Sequence, residues 1–493
     1  MTMNDLPIAV IGAGPVGLAA AAHLFERNLV PVVFEAGRQA GSAISQWSHV
    51  HLFSPWKFNI DAASRALLEA EHWQHPDPEV QPTGGQLVED YIAPLAAHPK
   101  LAPHIRYETT VVAISRLNRS RLDNADREKS PFVVIWNDRD GNRHRTLARA
   151  VIDASGTWHR PNPMGRDGLA VEGEHEYKDP IAYGIPDVLG KDRDVYAGKH
   201  TLVVGAGHSA INAVLDLLDL KIENPQTRIS WATRSGGTDR LIGGGLNDAL
   251  PGRGLLGHRA ANAVRDGGVS LLSPFTINKV ERKPHAFNVA GELGADAVNL
   301  AVDRLIVATG FRPDFSFLSE LRLTLDPVVE ATPALAPLID PNFHSCGTVR
   351  PHGAVELAHP EPGFYIVGMK SYGRAPTFLL ATGYEQVRSV VAMLARDEEA
   401  ALRVELELPE TGICRTATAA TISLNAKKEM TMNAPVKDEP QAAGCCGGPA
   451  PAGVEACCVK DADAKAAGES GCGCGSKPSA QVEPKAKPVA CCD

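Results

Sequence analysis

PIAVIGAGPVGLAAAAHLFERNLVPVVFEAG, residues Pro7 to Gly37, is the stretch whose reading decides the architecture. An apolar run from Ile8 to Ile11 meets Gly12, Ala13, Gly14, Pro15, Val16 and Gly17. An Ala/Leu-rich helical pattern follows, then a second apolar run from Val30 to Phe34 that ends at Glu35. Strand, glycine turn, helix, strand is the order of a dinucleotide-binding βαβ unit. Gly12 permits the tight turn, and Gly14 lets the backbone approach a pyrophosphate. Gly17 lets the helix pack hard on the strand. The helix N-terminus, opened by Pro15, offers N–H groups to phosphates. Glu35 stands about twenty residues on, where a carboxylate takes both ribose hydroxyls.

The pattern returns once. His200-Thr-Leu-Val-Val204 leads into Gly205-Ala-Gly207-His208-Ser209-Ala210, a helical pattern through Leu220 and a strand from Arg228 to Thr233. That strand ends in Arg234 instead of an acid. An acid holds a bare ribose diol, whereas a guanidinium suits a 2′-phosphate, so the second unit points to NADPH. A surface arginine unconnected with the nucleotide is the alternative. His208, inside the glycine turn, is a phosphate contact in this reading. Two further strands end in small-residue turns: Ala150 to Asp153 before Ala154-Ser155-Gly156, and Asp303 to Val307 before Ala308-Thr309-Gly310. Both are expected to return to the first domain and mark the crossings to and from an inserted one. Gly363 to Gly368 is a further strand with a glycine exit, and a helix is expected from about Pro376 to Ala395.

The expected fold is therefore α/β: two Rossmann-like dinucleotide-binding domains followed by a Cys-rich tail. Residues 1–165 form the first part of one domain and 303–405 its second part. Residues 195–302 form the inserted domain, and 416–493 a disordered tail. Arg160 to Lys199, rich in Pro, Gly and charge, reads as a linker, and Gly243 to Arg259 as a glycine-rich loop. A net charge of −9 with no basic face argues against nucleic acid. No apolar run reaches the length of a membrane span, and the N-terminus has no basic n-region, so a cytoplasmic protein is expected.

Of 10 cysteines, only Cys346 and Cys414 precede residue 440. The others are Cys445, Cys446, Cys457, Cys458, Cys472, Cys474, Cys491 and Cys492, in a tail of Ala, Gly, Pro and Lys with no apolar period. Vicinal thiols are soft ligands suited to As(III), Cu(I), Zn(II) or Hg(II). The spacings are not those of a zinc finger, and a low-complexity tail with incidental thiols is the alternative.

The two glycine motifs, the paired small-residue turns and the segment after Gly310 together resemble the two-dinucleotide-binding flavoproteins. DASGTWHRPNP, Asp153 to Pro163, is similar to a turn of the flavin-containing and Baeyer–Villiger monooxygenases. QWSHVHLFSPW (Gln46 to Trp56), YGIPDVLG (Tyr183 to Gly190) and VVGAGHSA (Val203 to Ala210) resemble most the flavin-dependent monooxygenases of bacterial arsenic-resistance operons. The F-x-G-x-x-x-H fingerprint of class B monooxygenases is not legible: around Gly173 and His175 the glycine-to-histidine spacing differs.

The resemblance implies FAD on the first unit and NADPH on the second, with hydride passing from one to the other. It implies an oxidoreductase that forms a flavin hydroperoxide with O2 and oxygenates a soft nucleophile such as sulfur, nitrogen or trivalent arsenic. Trp47 and Trp56 would lid the flavin, against the alternative of loop packing. Arg312 would approach the nicotinamide, against the alternative of a structural salt bridge. Two other functions stay open: a reductase using tail cysteines as its dithiol, and a metalloid-binding or delivery protein. A disulfide reductase is expected to carry a C-x-x-C beside the flavin, and the sequence contains none.

Overall fold

A computed structural model describes residues 3–177, 181–234, 251–342, 349–376 and 378–406. The chain divides into a unit Met1–Ala417 and a unit Thr418–Asp493. Everything that follows concerns the first. All ten cysteines lie outside the described residues.

The opening motif folds as read, into β1 (Ile8–Ile11), α1 (Pro15–Glu26) and β2 (Pro31–Phe34). Every residue of both strands is buried, as parallel strands covered on both faces require. The run Ala19 to Ala22 in α1 is buried throughout, and its small side chains bring helix and sheet close. A second anchor lies at the other end of α1. His23 Nε2 stands 3.0 Å from Asp61, whose carboxylate caps α2 (Ala62–Ala70) by accepting the Ser64 N–H at 2.8 Å. Burial opposes charge on His23, but Asp61 and Glu26 outweigh it and raise its pKa to about 9.

The chain then forms β3 (Ile105–Arg106), an antiparallel meander of β4 (Thr110–Arg116), β5 (Phe132–Asn137) and β6 (Arg143–Ala148), and β7 (Ala150–Asp153). The next strands are β8 (Ile181–Tyr183) and β9 (His200–Val204), followed by α3 (His208–Glu223), β10 (Arg228–Ala232), α4 (Pro251–Arg265) and β11 (Ser270–Leu272). A second antiparallel meander comprises β12 (Phe275–Arg282), β13 (Phe287–Leu293) and β14 (Asp296–Val302). The closing elements are β15 (Arg304–Val307), β16 (Phe364–Ile366) and α5 (Leu380–Leu394).

Two five-stranded parallel sheets result. The first has the order β16-β7-β1-β2-β3, the second β11-β10-β9-β15-β8. Four expectations need correction here. The strand at Arg304–Val307 does not return to the first sheet; it pairs with β9 in the second. The presumed linker supplies β8, which extends the second sheet by pairing Ile181 with Leu305. The second sheet thus begins before residue 195 and ends after 302. A three-residue edge strand is too short to show periodicity, and a parallel partner far along the chain leaves no local trace. Finally, Pro251 to Arg259 lies in α4, not in a loop, and the helix expected from Pro376 starts at Leu380. Among the described residues no helix is long and apolar enough to cross a membrane.

Candidate nucleotide-binding site

The two glycine turns have the same construction. Gly12 has φ of +100° and Gly205 of +132°, a region that favours glycine. A Cβ on Gly12 would stand 2.8 Å from the Ala154 carbonyl oxygen, and one on Gly205 2.3 Å from that of Ala308. Each turn is therefore clamped beneath the small-residue exit of the neighbouring strand, β7 in one sheet and β15 in the other. Ala308 and Thr309 thus close the second turn, as Ala154 and Ser155 close the first.

Gly14 and Gly207 are different. Both are extended helix N-caps, and a Cβ on either would meet nothing within 4 Å. Neither helix start has a side-chain cap, which leaves first-turn N–H groups for an anion. Open space above an uncapped helix N-terminus is the shape a pyrophosphate fills. Gly17 is needed for packing, since a Cβ there would sit 2.0 Å from the Gly12 carbonyl oxygen. Its counterpart, Ala210, is fully buried with its methyl in place.

The residues that follow the second strand of each unit also sit where the spacing puts them. Glu35 lies just past β2, and its carboxylate accepts N–H bonds from Ala13 at 2.7 Å and Gly37 at 2.8 Å. It stands at the mouth of the first turn. Arg234 lies two residues past β10 and is exposed. Ser209 follows His208 at the open start of α3. The buried Trp231 was not read from sequence; its indole N–H donates 2.7 Å to the Gly205 carbonyl and braces the second turn. The apolar run hides it, because a tryptophan there reads as core.

The first sheet's loop reaches the second turn directly: the rings of Phe53 and His208 lie 5.1 Å apart at their centroids. Trp47 is half-buried and 6.4 Å from Trp158, whose ring lies 4.6 Å from that of Phe311 at a tilt of 32° and whose indole N–H donates to Gln46. Trp56 does not belong to this cluster. It is 3% exposed and packs in the core of the first domain, so its role is structural.

The two chain crossings between the sheets are stitched together. Asn162 N–H donates to the Gly310 carbonyl, Thr309 Oγ1 donates 2.7 Å to the Asn162 carbonyl, and Pro161 bridges Phe311. Arg312 binds Asn162 Oδ1 at 2.9 Å and the Gly168 carbonyl at 3.1 Å. Its guanidinium braces the crossing through neutral acceptors and not through a salt bridge. At the end of β7 the fold adds a buried Asp153–Lys370 pair at 2.7 Å, unread in the sequence because its members are 217 residues apart.

Residues 9–342 match the model of the pyridine nucleotide-disulphide oxidoreductase family. The chain belongs to that family. Curated relatives match the chain at modest identity. Flavin-containing monooxygenase 3 of Macaca mulatta is 24% identical over 212 residues, covering 43% of this chain and 37% of that protein. A monooxygenase of Aspergillus candidus is 26% identical over 239 residues, covering 46% and 36%. The chain thus spans well under half the length of these relatives.

Among solved structures, bacillithiol disulfide reductase from Bacillus cereus matches with a TM-score of 0.57 at 17% identity, over 79% of this chain and 99% of that one. Ornithine N-hydroxylase from Kutzneria sp. 744 matches with a TM-score of 0.52 at 15% identity, over 80% and 99%. At such identities the likeness is one of fold. By family the chain is a flavoprotein oxidoreductase of the pyridine-nucleotide-using kind.

Proposed function

We propose that the chain is an NADPH-using monooxygenase that oxygenates a soft nucleophile, with trivalent arsenic, sulfur and nitrogen centres as its substrate class. The observation that carries the reading is the pair of clamped, open-mouthed glycine turns, one ending in Glu35 and the other in Arg234, in contact through Phe53 and His208. Gly12, Gly14, Pro15 and Gly17 hold the FAD pyrophosphate, Glu35 its ribose diol, and Ser155 and Gly156 the wall beside it. Gly205, Gly207, His208, Ser209 and Ala210 hold the NADPH pyrophosphate, with Thr309 and Gly310 as that turn's wall. Arg234 takes the 2′-phosphate.

Bound FAD, reduced by NADPH, supplies the activation of O2, one oxygen atom going to the substrate and the other to water. The protein's part is to hold the two nucleotides and to keep water out. Trp47, Trp158 and Phe311 form an apolar wall where the two sheets meet, suited to that exclusion. The lack of any C-x-x-C in the sequence favours oxygen transfer over disulfide reduction.

The tail belongs to the same reading. Cys445, Cys446, Cys457, Cys458, Cys472, Cys474, Cys491 and Cys492 bind As(III) or another soft metal and raise its concentration near the enzyme. The likeness of Gln46 to Trp56 to the arsenic-operon monooxygenases and the thiol-rich composition of the tail are independent supports. The test is aerobic NADPH oxidation by full-length protein with a trivalent arsenical or a thioether under labelled O2. Label in the product supports the reading. Hydrogen peroxide alone, formed at a rate no substrate changes, would overturn it.

A further inference from the structure

Lys370 is the most completely buried cation among the described residues, and its surroundings converge on the first nucleotide turn. It sits in the short 3-10 turn Gly368–Tyr372 that follows β16. Its ammonium and the carboxylate of Asp153 are both at 0% side-chain exposure. Nζ donates 2.7 Å to Asp153 Oδ2 and 3.1 Å to Ser155 Oγ. Ser155 Oγ in turn donates 2.6 Å to Asp153 Oδ1, and the Ser155 N–H reaches the same oxygen at 3.1 Å. The Phe317 ring lies 4.4 Å from Nζ and the Phe315 ring 5.6 Å. A cavity of about 10 Å3, the size of one water, borders Lys370 together with His359, whose Nε2 is buried without a protein partner.

Burying a lysine is costly unless the charge is paired and hydrogen-bonded. Here both partners lie within two residues of Ala154, whose carbonyl packs on Gly12. Ser155 alone among the three is exposed, on the surface of the site. Gly368, two residues before Lys370, packs on Val16 in the first turn of α1, where a Cβ on Gly368 would stand 3.4 Å from Val16 Cγ1. Lys370 thereby joins the carboxyl ends of β7 and β16, and both exits pack on the Gly12–Val16 turn that follows β1. In an open parallel sheet those ends carry the ligand.

We propose that Lys370 is a positioning residue for FAD: held by Asp153, it sets the Ala154–Gly156 wall through Ser155 at the carboxyl edge of the first sheet. The inference rests on the reading that the first glycine turn holds FAD. A reduced flavin is more negative than the oxidised one; Lys370 and Asp153 cancel in net charge, so Lys370→Gln alone, which leaves the Asp153 anion uncompensated, lowers the midpoint potential, whereas removing both charges does not.

The test compares full-length wild type with Lys370→Gln and with Asp153→Asn/Lys370→Gln, measuring FAD affinity, flavin midpoint potential and melting temperature. Lys370→Gln leaves a buried carboxylate unpaired and destabilises the fold. The double variant keeps a hydrogen-bonded pair without charge, and its melting temperature recovers. The proposal expects FAD affinity of the double variant to stay about tenfold or more below wild type, from the loss of the charge-assisted bonds that set the wall, with its midpoint potential near wild type and that of Lys370→Gln lowered. A double variant matching wild type in FAD affinity, or a Lys370→Gln with unchanged potential, would reduce Lys370 to packing. Wild type that binds no FAD would overturn the first-turn reading itself, a result visible before any variant is made.

Discussion

Substituting Gly14 by alanine separates binding from folding. Gly14 is an extended N-cap at φ −77°, so alanine meets no backbone strain, and its methyl would find nothing within 4 Å. Alanine is a poorer N-cap than glycine by a few tenths of a kcal/mol up to about 1. The lost freedom of the unfolded chain offsets that by about 0.4–1 kcal/mol. The net change in stability is therefore close to zero, and the melting temperature of apoprotein should stay within about 2 °C of wild type. The methyl does, however, occupy the space assigned to the pyrophosphate. Displacing the phosphate from even one charge-assisted N–H bond is worth about 1.5–3 kcal/mol, or a ten- to hundred-fold loss of FAD affinity.

Gly12→Ala is the control. At φ of +100° a methyl costs about 1–2 kcal/mol in backbone conformation alone. It also meets the Ala154 carbonyl at 2.8 Å, so this variant must lose stability. FAD titration by fluorescence quenching and thermal melts of both variants give the two numbers. Gly14→Ala that binds FAD within twofold of wild type would refute the assignment of the pyrophosphate to this turn. Gly207→Ala should behave in the same way toward NADPH, since its position is equally open.

Other expected outcomes are simpler to state. Arg234→Ala should raise the NADPH KM about tenfold while leaving NADH kinetics unchanged; equal effects on both nucleotides would remove its role as 2′-phosphate ligand. The folded-state pKa of His23, near 9, lies above the ordinary value of 6.5, so its pairing stabilises fully below about pH 6.5 and the gain is lost as pH rises through 9. That is about 3 kcal/mol. Urea melts between pH 6.5 and 9.5 should show the decline, and His23→Gln should flatten it; an unchanged slope would exclude the pair as its source. Glu361 accepts from Arg116 at 2.8 Å and Arg127 at 2.7 Å, all three buried, so Glu361→Ala should cost about 3–5 kcal/mol in urea unfolding by stranding two cations. Ending the chain at Thr416 should leave FAD binding and NADPH-driven flavin reduction intact but lower As(III) stoichiometry. Disulfide turnover that vanished with the tail would favour the reductase reading.

Local order alone determined much of this protein. The two βαβ units, their Gly12/Gly14 and Gly205/Gly207 positions, Glu35, Arg234 and the strand at Ala150–Asp153 all depend on neighbours within about thirty residues, where periodicity and glycine spacing report directly on backbone geometry. Only the tertiary structure decided which sheet each returning strand joins. It moved Arg304–Val307 to the second sheet, drew β8 from an apparent linker, turned Trp56 from a lid into core, and made Arg312 a brace. It also brought Lys370 to Asp153 across 217 residues. Parallel strands pair through crossovers of any length, and a buried charge finds its partner in space, so neither leaves a periodic mark in the sequence.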